Sequence, residues 1–299
     1  MKSKKWLRGI IIFLILIGLG VAFLAHNVLP YAILSRQSRV STITPESLDI
    51  KAGKGVFQIN DSLSIKGYYT YPQTVAPKAI IIMLHGIGGV KEHFYPLSKR
   101  LNEQSIATVV YDARSHGESD GEFITYGFYE KYDVQTIVDS IKNRHTLLPI
   151  GVWGNSMGGA VALQALAIEP RIDFGIIEST FTQLDKISYD YQKRYAYGIG
   201  LKPITNYALK RAGEIGQFDP NQVMPIVSVT QIYQPVFLAH GTADLNIKFE
   251  YGQQLYEKLA SKDKIFYPVE DAGHFDLFDK GGDAYSDAIY QFISKQFGD

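Results

Sequence analysis

Gly151-Val152-Trp153-Gly154-Asn155-Ser156-Met157-Gly158-Gly159 is the stretch that decides the fold. A short apolar run, Pro149 to Trp153, enters it, and a small-residue helical pattern, Ala160 to Ala167, leaves it. Between them Gly154-x-Ser156-x-Gly158 reads as a sharp strand-to-helix turn with a serine at its apex. A tight elbow brings backbone against backbone and leaves no room for Cβ atoms, which accounts for the flanking glycines. The expectation is that Ser156 is a nucleophile. Alone the motif is a weak signal, so the remainder of the chain must supply the partners a serine hydroxyl requires.

Outward from the elbow, buried apolar runs alternate with helical patterns. Gly55 to Asn60 and Leu63 to Tyr71 alternate apolar and polar residues around Asn60-Asp61, the signature of an antiparallel hairpin. Ala79 to Leu84 and Ile106 to Tyr111 are continuous apolar runs of the kind buried on both faces of a parallel sheet. Further strands are expected at 174–177, 235–239 and 265–269, with helices near 94–104, 132–144, 157–168, 250–260 and 283–297. Such alternation predicts an α/β fold: a mostly parallel, doubly wound sheet with an antiparallel amino-terminal hairpin. One segment breaks the rhythm. Residues 181–234 intervene between the strands ending near 178 and 239, where one helix would suffice; they are tyrosine-rich and read as a small helical cap over the functional face.

A serine nucleophile needs a base, the base needs an orienting acid, and the oxyanion needs preorganised donors. Of seven histidines, His274 lies in the loop between the last strand and the last helix, at the face where strand carboxyl ends line a site. Asp244, just past the strand ending at 239, gives the order serine, acid, histidine that an elbow-type fold requires. Glu178 is a second candidate acid, and Asp271 a weaker one. The expected oxyanion donors are the N–H groups of Met157, opening the elbow helix, and Ile87, in the glycine loop His85-Gly86-Ile87-Gly88-Gly89. That loop lacks both a P-loop lysine pattern and G-x-G-x-x-G, which argues against nucleotide.

With these residues assembled, the chain resembles the α/β-hydrolase superfamily over about residues 50–299. The likeness rests on His85-Gly86-x-Gly88, Asp112-Ala-Arg114-Ser-His116-Gly117-Glu-Ser119, Gly154-x-Ser156-x-Gly158, His240-Gly-x-x-Asp244 and Gly273-His274. The branch it is most similar to comprises the monoacylglycerol-lipase-like and serine-aminopeptidase-like (S33-type) hydrolases, including small membrane-anchored members. In the second motif Ser115 replaces the usual glycine. The resemblance implies that Asp112 and His116 are structural, and that the activity is acyl transfer to water through a serine-bound intermediate, with no cofactor and no metal. The expected substrate is a small acyl compound, apolar in character. A peptidase or an acyltransferase would use the same residues, and a non-catalytic binding module of this fold is a third reading.

Net charge is zero, so nothing in the balance points to nucleic acid. The absence of cysteine excludes disulfides, a thiol nucleophile, thiolate metal sites and a lipidated cysteine. At the amino terminus, residues 1–8 are basic (Lys2, Lys4, Lys5, Arg8) and 9–25 carry no charged side chain. Seventeen apolar residues sit at the lower limit for a spanning helix. A small-residue cleavage site, Gly20-Val21-Ala22, lies inside the run rather than after it, which favours an uncleaved anchor over a signal peptide. Four basic residues before the run, against Arg36 and Arg39 after it, predict a body on the extracytoplasmic side, or secreted if the segment is cleaved. Residues 26–50 read as a linker to a catalytic domain over 51–299.

Overall fold

The chain is described by a computed structural model covering residues 2–35, 38–39 and 41–298. Met1 of the basic start, and Arg36 of the charge asymmetry, lie outside the described residues. Helix α1 (Lys2–Asn27) is apolar and largely exposed from Gly9 to Leu24, and α2 (Leu29–Leu34) follows almost directly. By length and composition, residues 5–34 include one segment apolar enough to cross a membrane.

The body is a single eight-stranded sheet. Its strands are β1 (Lys51–Asn60), β2 (Leu63–Tyr71), β3 (Ala79–Leu84), β4 (Ile106–Tyr111), β5 (Ile150–Asn155), β6 (Phe174–Glu178), β7 (Val236–Gly241) and β8 (Lys264–Val269). The spatial order is β1-β2-β4-β3-β5-β6-β7-β8. β1 pairs antiparallel with β2, and β2 with β4; every pairing from β4 through β8 is parallel. The expected mostly parallel sheet with its amino-terminal hairpin is therefore present. Chain order reverses between β3 and β5, so the loops following these two strands diverge at a topological switch point, where open α/β sheets form their crevice.

Burial on both faces explains the continuous apolar runs. Along β3, Ile80, Ile82 and Leu84 join one core while Ile81 and Met83 join the other, as a period of two dictates. α4 (Glu130–Arg144) and α5 (Met157–Leu166) cover the first face; α3 (Tyr95–Glu103) and the last helix cover the second. Every residue of α5 is buried, and its glycines and alanines let it lie close to β5 and β6.

After β6 come α6 (Leu184–Tyr195), α7 (Lys202–Gly216) and the short α8 (Pro225–Ser228). α9 (Phe249–Lys258) joins β7 to β8, and α10 (Leu277–Lys295) ends the fold. α10 begins six residues before the expected 283, because Gly281-Gly282 masks the helical pattern; Gly282, at φ 55° and ψ −146°, kinks it. A third core joins α2 to this excursion: Leu34 is fully buried with Phe181, Leu184, Ile187, Leu209, Ala212 and Phe218. The Leu34 carbonyl accepts from Ile124 N–H (2.8 Å) and the Ile33 carbonyl from Tyr126 O–H (2.7 Å). Residues 29–34 thus dock onto the functional face.

Candidate active site

Ser156 sits at the end of β5 with φ 54° and ψ −119°, a conformation that costs energy for a residue with a Cβ and persists only when its surroundings enforce it. Three restraints do so. Its N–H donates to the Glu178 carbonyl (2.9 Å), its carbonyl accepts from Thr180 Oγ1 (2.7 Å), and α5 is pressed into the sheet. A Cβ on Gly158 would lie 2.0 Å from the Leu84 carbonyl oxygen, and one on Gly154 would lie 2.3 Å from that of Gly158. The elbow closes only with glycine at both positions.

His274, in the loop between β8 and α10, bridges two other chain segments. Its Nε2 lies 2.9 Å from Ser156 Oγ and its Nδ1 lies 2.7 Å from Asp244 Oδ2. An ionised carboxylate only accepts, so Nδ1 carries the proton and Nε2 is the acceptor facing the serine hydroxyl. The second oxygen of Asp244 accepts from the N–H groups of Asn246 (2.7 Å) and Ile247 (2.9 Å). Burial alone would raise the Asp244 pKa. The bonds from His240 and His274 and the Ile247 N–H outweigh burial and hold it well below the usual carboxylate range. The group is therefore an ionised acceptor at neutral pH. The structure thus brings Ser156, His274 and Asp244 together.

The other acids are engaged elsewhere. Glu178 accepts from Trp153 Nε1 (2.9 Å) and Tyr285 O–H (2.5 Å) on the α10 side of the sheet, and burial raises its pKa against those two bonds. Asp271 turns the chain at φ 55°, its N–H bonded to Thr242 Oγ1 (2.9 Å), and among the described residues no hydrogen bond joins it to His274.

Ile87 and Met157 line the same cavity as Ser156 and His274, about 590 Å³ in volume. Among the described residues neither backbone N–H has a hydrogen-bond partner, which leaves both donors free for a ligand. The loop carrying Ile87 is held from behind by two histidines. His85 Nε2 accepts from Ala113 N–H (2.9 Å) and its Nδ1–H donates to the Gly86 carbonyl (2.8 Å). His116 Nε2 accepts from Gly88 N–H (3.1 Å) and its Nδ1–H donates to the Arg114 carbonyl (3.0 Å). Asp112 in turn accepts from Lys91 N–H, Lys91 Nζ and Glu118 N–H at 2.7–2.9 Å. Asp112 and His116 therefore shape the loop rather than face the cavity.

Three residues of this neighbourhood have roles that the sequence does not reveal. Thr180 fixes the elbow from across the sheet, and Lys91 is a buried cation whose need is visible only once Asp112 is buried beside it. His240 donates from Nε2 to the Ile247 carbonyl (2.9 Å) and backs Asp244 at 3.5 Å. Its strand-end position before glycine is legible; its partner is not.

Burial, with the adjacent His116 second, pushes the His85 pKa down to about 3. The unfolded chain binds a proton near pH 6.5 and the folded chain does not, so this contribution is fully present above 6.5 and is lost as pH falls towards 3. By pH 5 the loss should reach roughly 2 kcal/mol from this residue. Urea midpoints measured from pH 8 to 5 should show the decline, and His85→Gln, which keeps an acceptor for Ala113, should flatten it. An unchanged slope would assign the acid sensitivity to other groups.

Comparison with known proteins gives a consistent result. A family model described as serine aminopeptidase, S33, matches residues 75–213. The chain is 30% identical over 236 residues to the uncharacterised protein YqkD of Bacillus subtilis (strain 168), covering 77% of this chain and 75% of that one. It is 30% identical over 191 residues to the lysophosphatidylserine lipase ABHD12 of Macaca fascicularis, covering 60% of this chain and 44% of that one. Among solved structures, the esterase PF2001 of Pyrococcus furiosus superposes with a TM-score of 0.74 at 23% identity, over 89% of this chain and 99% of that one.

Proposed function

Given that the chain belongs to the α/β-hydrolase superfamily and is an enzyme of that family, we propose that it hydrolyses carboxylic esters with Ser156 as nucleophile, His274 as general base and acid, and Asp244 as the group that orients His274. The observation that carries this reading is the His274 bridge, 2.9 Å to Ser156 Oγ and 2.7 Å to Asp244. Ser156 gives its proton to Nε2 as Oγ attacks the acyl carbonyl. The Ile87 and Met157 N–H groups receive the oxyanion. His274 then protonates the leaving oxygen, and water repeats the cycle on the acyl-serine.

The lining of the cavity supports an apolar acyl group. Leu184, Ile187, Tyr191 and Tyr195 of α6 line it together with Phe94, Phe181 and Met157, and 181–234 acts as a cap over the site. No Asp or Glu lines it among the described residues, so an aminopeptidase substrate would find no carboxylate for its free amine. One similar protein, the lysophosphatidylserine lipase ABHD12, is by name an ester hydrolase. A fluorophosphonate probe should modify the wild-type protein, with the adduct on the peptide containing Ser156. An unlabelled protein, or an adduct elsewhere, sinks the reading. Hydrolysis of aminoacyl amides in preference to acyl esters would transfer it to the peptidase alternative.

The same proposal makes α1 an uncleaved anchor, with the basic start in the cytoplasm and 51–299 outside. Deleting residues 1–25 should move the protein from the membrane to the soluble fraction. Among the described residues Ala25 is the one buried side chain lost from α1, so the docked 29–34 segment stays intact. Continued sedimentation with membranes would contradict a single anchor. Protease added to intact spheroplasts should digest the body, and protection would put it on the inner side.

A further inference from the structure

Beyond α2, Ser38 and Arg39 bond to the loops that frame the Ser156 cavity. Gly117 N–H donates to Ser38 Oγ (3.0 Å), and Arg39 N–H donates to the Gly88 carbonyl (2.8 Å) in the glycine loop. The Arg39 guanidinium lies over the Phe275 ring, 5.6 Å from its centroid, and that ring packs edge-on against His274 at 4.7 Å. Arg39, Phe275, His274 and Ser156 therefore form a continuous run of contacts, and all four line the cavity. Arg39 is exposed, and among the described residues it has no acidic partner within ion-pair distance. Since no carboxylate lines the cavity, this cation meets no opposite charge until a ligand brings one.

The side on which Arg39 stands decides which half of a substrate it meets. His274 must reach the leaving oxygen to protonate it, so the alcohol half of an ester departs on the His274 side. Phe275 and Arg39 lie there. A second cavity of about 280 Å³ opens from the same junction, sharing Asn155, His274 and Phe275 with the first; Arg100 and Glu178 both line it, and the Glu178 carboxylate is already held by Trp153 and Tyr285. The aromatic and aliphatic side chains of α6 line the same cavity and suit the acyl half. The cation of Arg39 thus stands beside His274, where the alcohol half departs.

We infer that this enzyme selects esters whose alcohol half carries a negative charge, a carboxylate or a phosphate, and that Arg39 is the specificity residue that reads it. The inference deepens the ester-hydrolase reading and rests on it. A guanidinium stacked on a ring is held in orientation with its N–H edge free, which suits either oxyanion. Exposure limits the gain to that of a solvent-screened pair, so the preference is expected to be about threefold to tenfold rather than absolute.

The test uses the full-length chain in detergent and three butyrate esters matched in acyl group: 4-carboxyphenyl, 4-phosphonophenyl and the neutral 4-carbamoylphenyl. The wild type should favour one or both anionic esters in kcat/KM by about threefold or more at low salt, the preference shrinking as ionic strength rises. Comparison of the carboxylate with the phosphonate arm identifies which anion is read. Arg39→Gln should bring the ratio towards one through the KM of the charged ester, Arg39→Lys should keep most of it, and Arg39→Glu should invert it. Equal losses on charged and neutral esters in Arg39→Gln would make the residue a clamp on its segment and overturn the inference. So would a wild-type ratio of one. Failure to turn over any ester, with no probe adduct on Ser156, overturns the hydrolase reading itself and takes this inference with it.

Discussion

Replacing Ser156 with alanine is expected to lower kcat for p-nitrophenyl butyrate by about five to six orders of magnitude, to the level left by the oxyanion donors alone. The substitution removes one atom, the Oγ that lies 2.9 Å from His274 Nε2. It leaves the elbow in place, because the bonds that hold residue 156 are made by its backbone to Glu178 and Thr180. Thermal unfolding should therefore stay close to wild type while turnover disappears. Steady-state kinetics with a folded-state check by circular dichroism makes the measurement. Activity retained within tenfold would assign the nucleophile elsewhere.

The second large effect is expected at Asp244. Asp244→Asn keeps size and keeps a carbonyl oxygen for the Asn246 and Ile247 N–H groups, so the local turn survives. What changes is the atom opposite His274 Nδ1, 2.7 Å away. If the amide nitrogen takes that place it donates to the ring, Nδ1 becomes an acceptor, and Nε2 carries the proton where a vacant lone pair is needed. A base in the wrong tautomer, with no negative charge to stabilise its protonated form, should cost about 10⁴ in kcat. A loss below tenfold would remove Asp244 from that role. Glu178 could not inherit it without breaking its bonds to Trp153 and Tyr285.

The sheet is legible in the sequence because burial on two faces leaves a local mark. Runs such as Ala79–Leu84 and Ile106–Tyr111 admit little but a central strand, and the turn at Gly154–Gly158 needs glycines that can be read off directly. The order of Ser156, Asp244 and His274 follows from topology, since each stands after a strand carboxyl end. What cannot be read is contact at long sequence range. The composition of residues 26–50 is that of a linker, yet Leu34 is buried in the α6–α7 core and Arg39 bonds to Gly88. Nothing near either residue signals a partner so far along the chain. Thr180 and Lys91 escape notice likewise: a hydroxyl and a cation become informative only when their surroundings are closed.

β8, which delivers His274, is the outermost strand of the sheet, paired on one edge to β7 and bare on the other. Ser156, by contrast, stands on β5 at the centre, beside the fully buried Trp153. The working assembly is therefore no more durable than its rim. Openings of a sheet edge require less free energy than disruption of its middle. On gentle warming or in dilute urea, turnover should fade while the fluorescence of Trp153 still reports an intact centre, and should return on cooling before any refolding of the whole could occur.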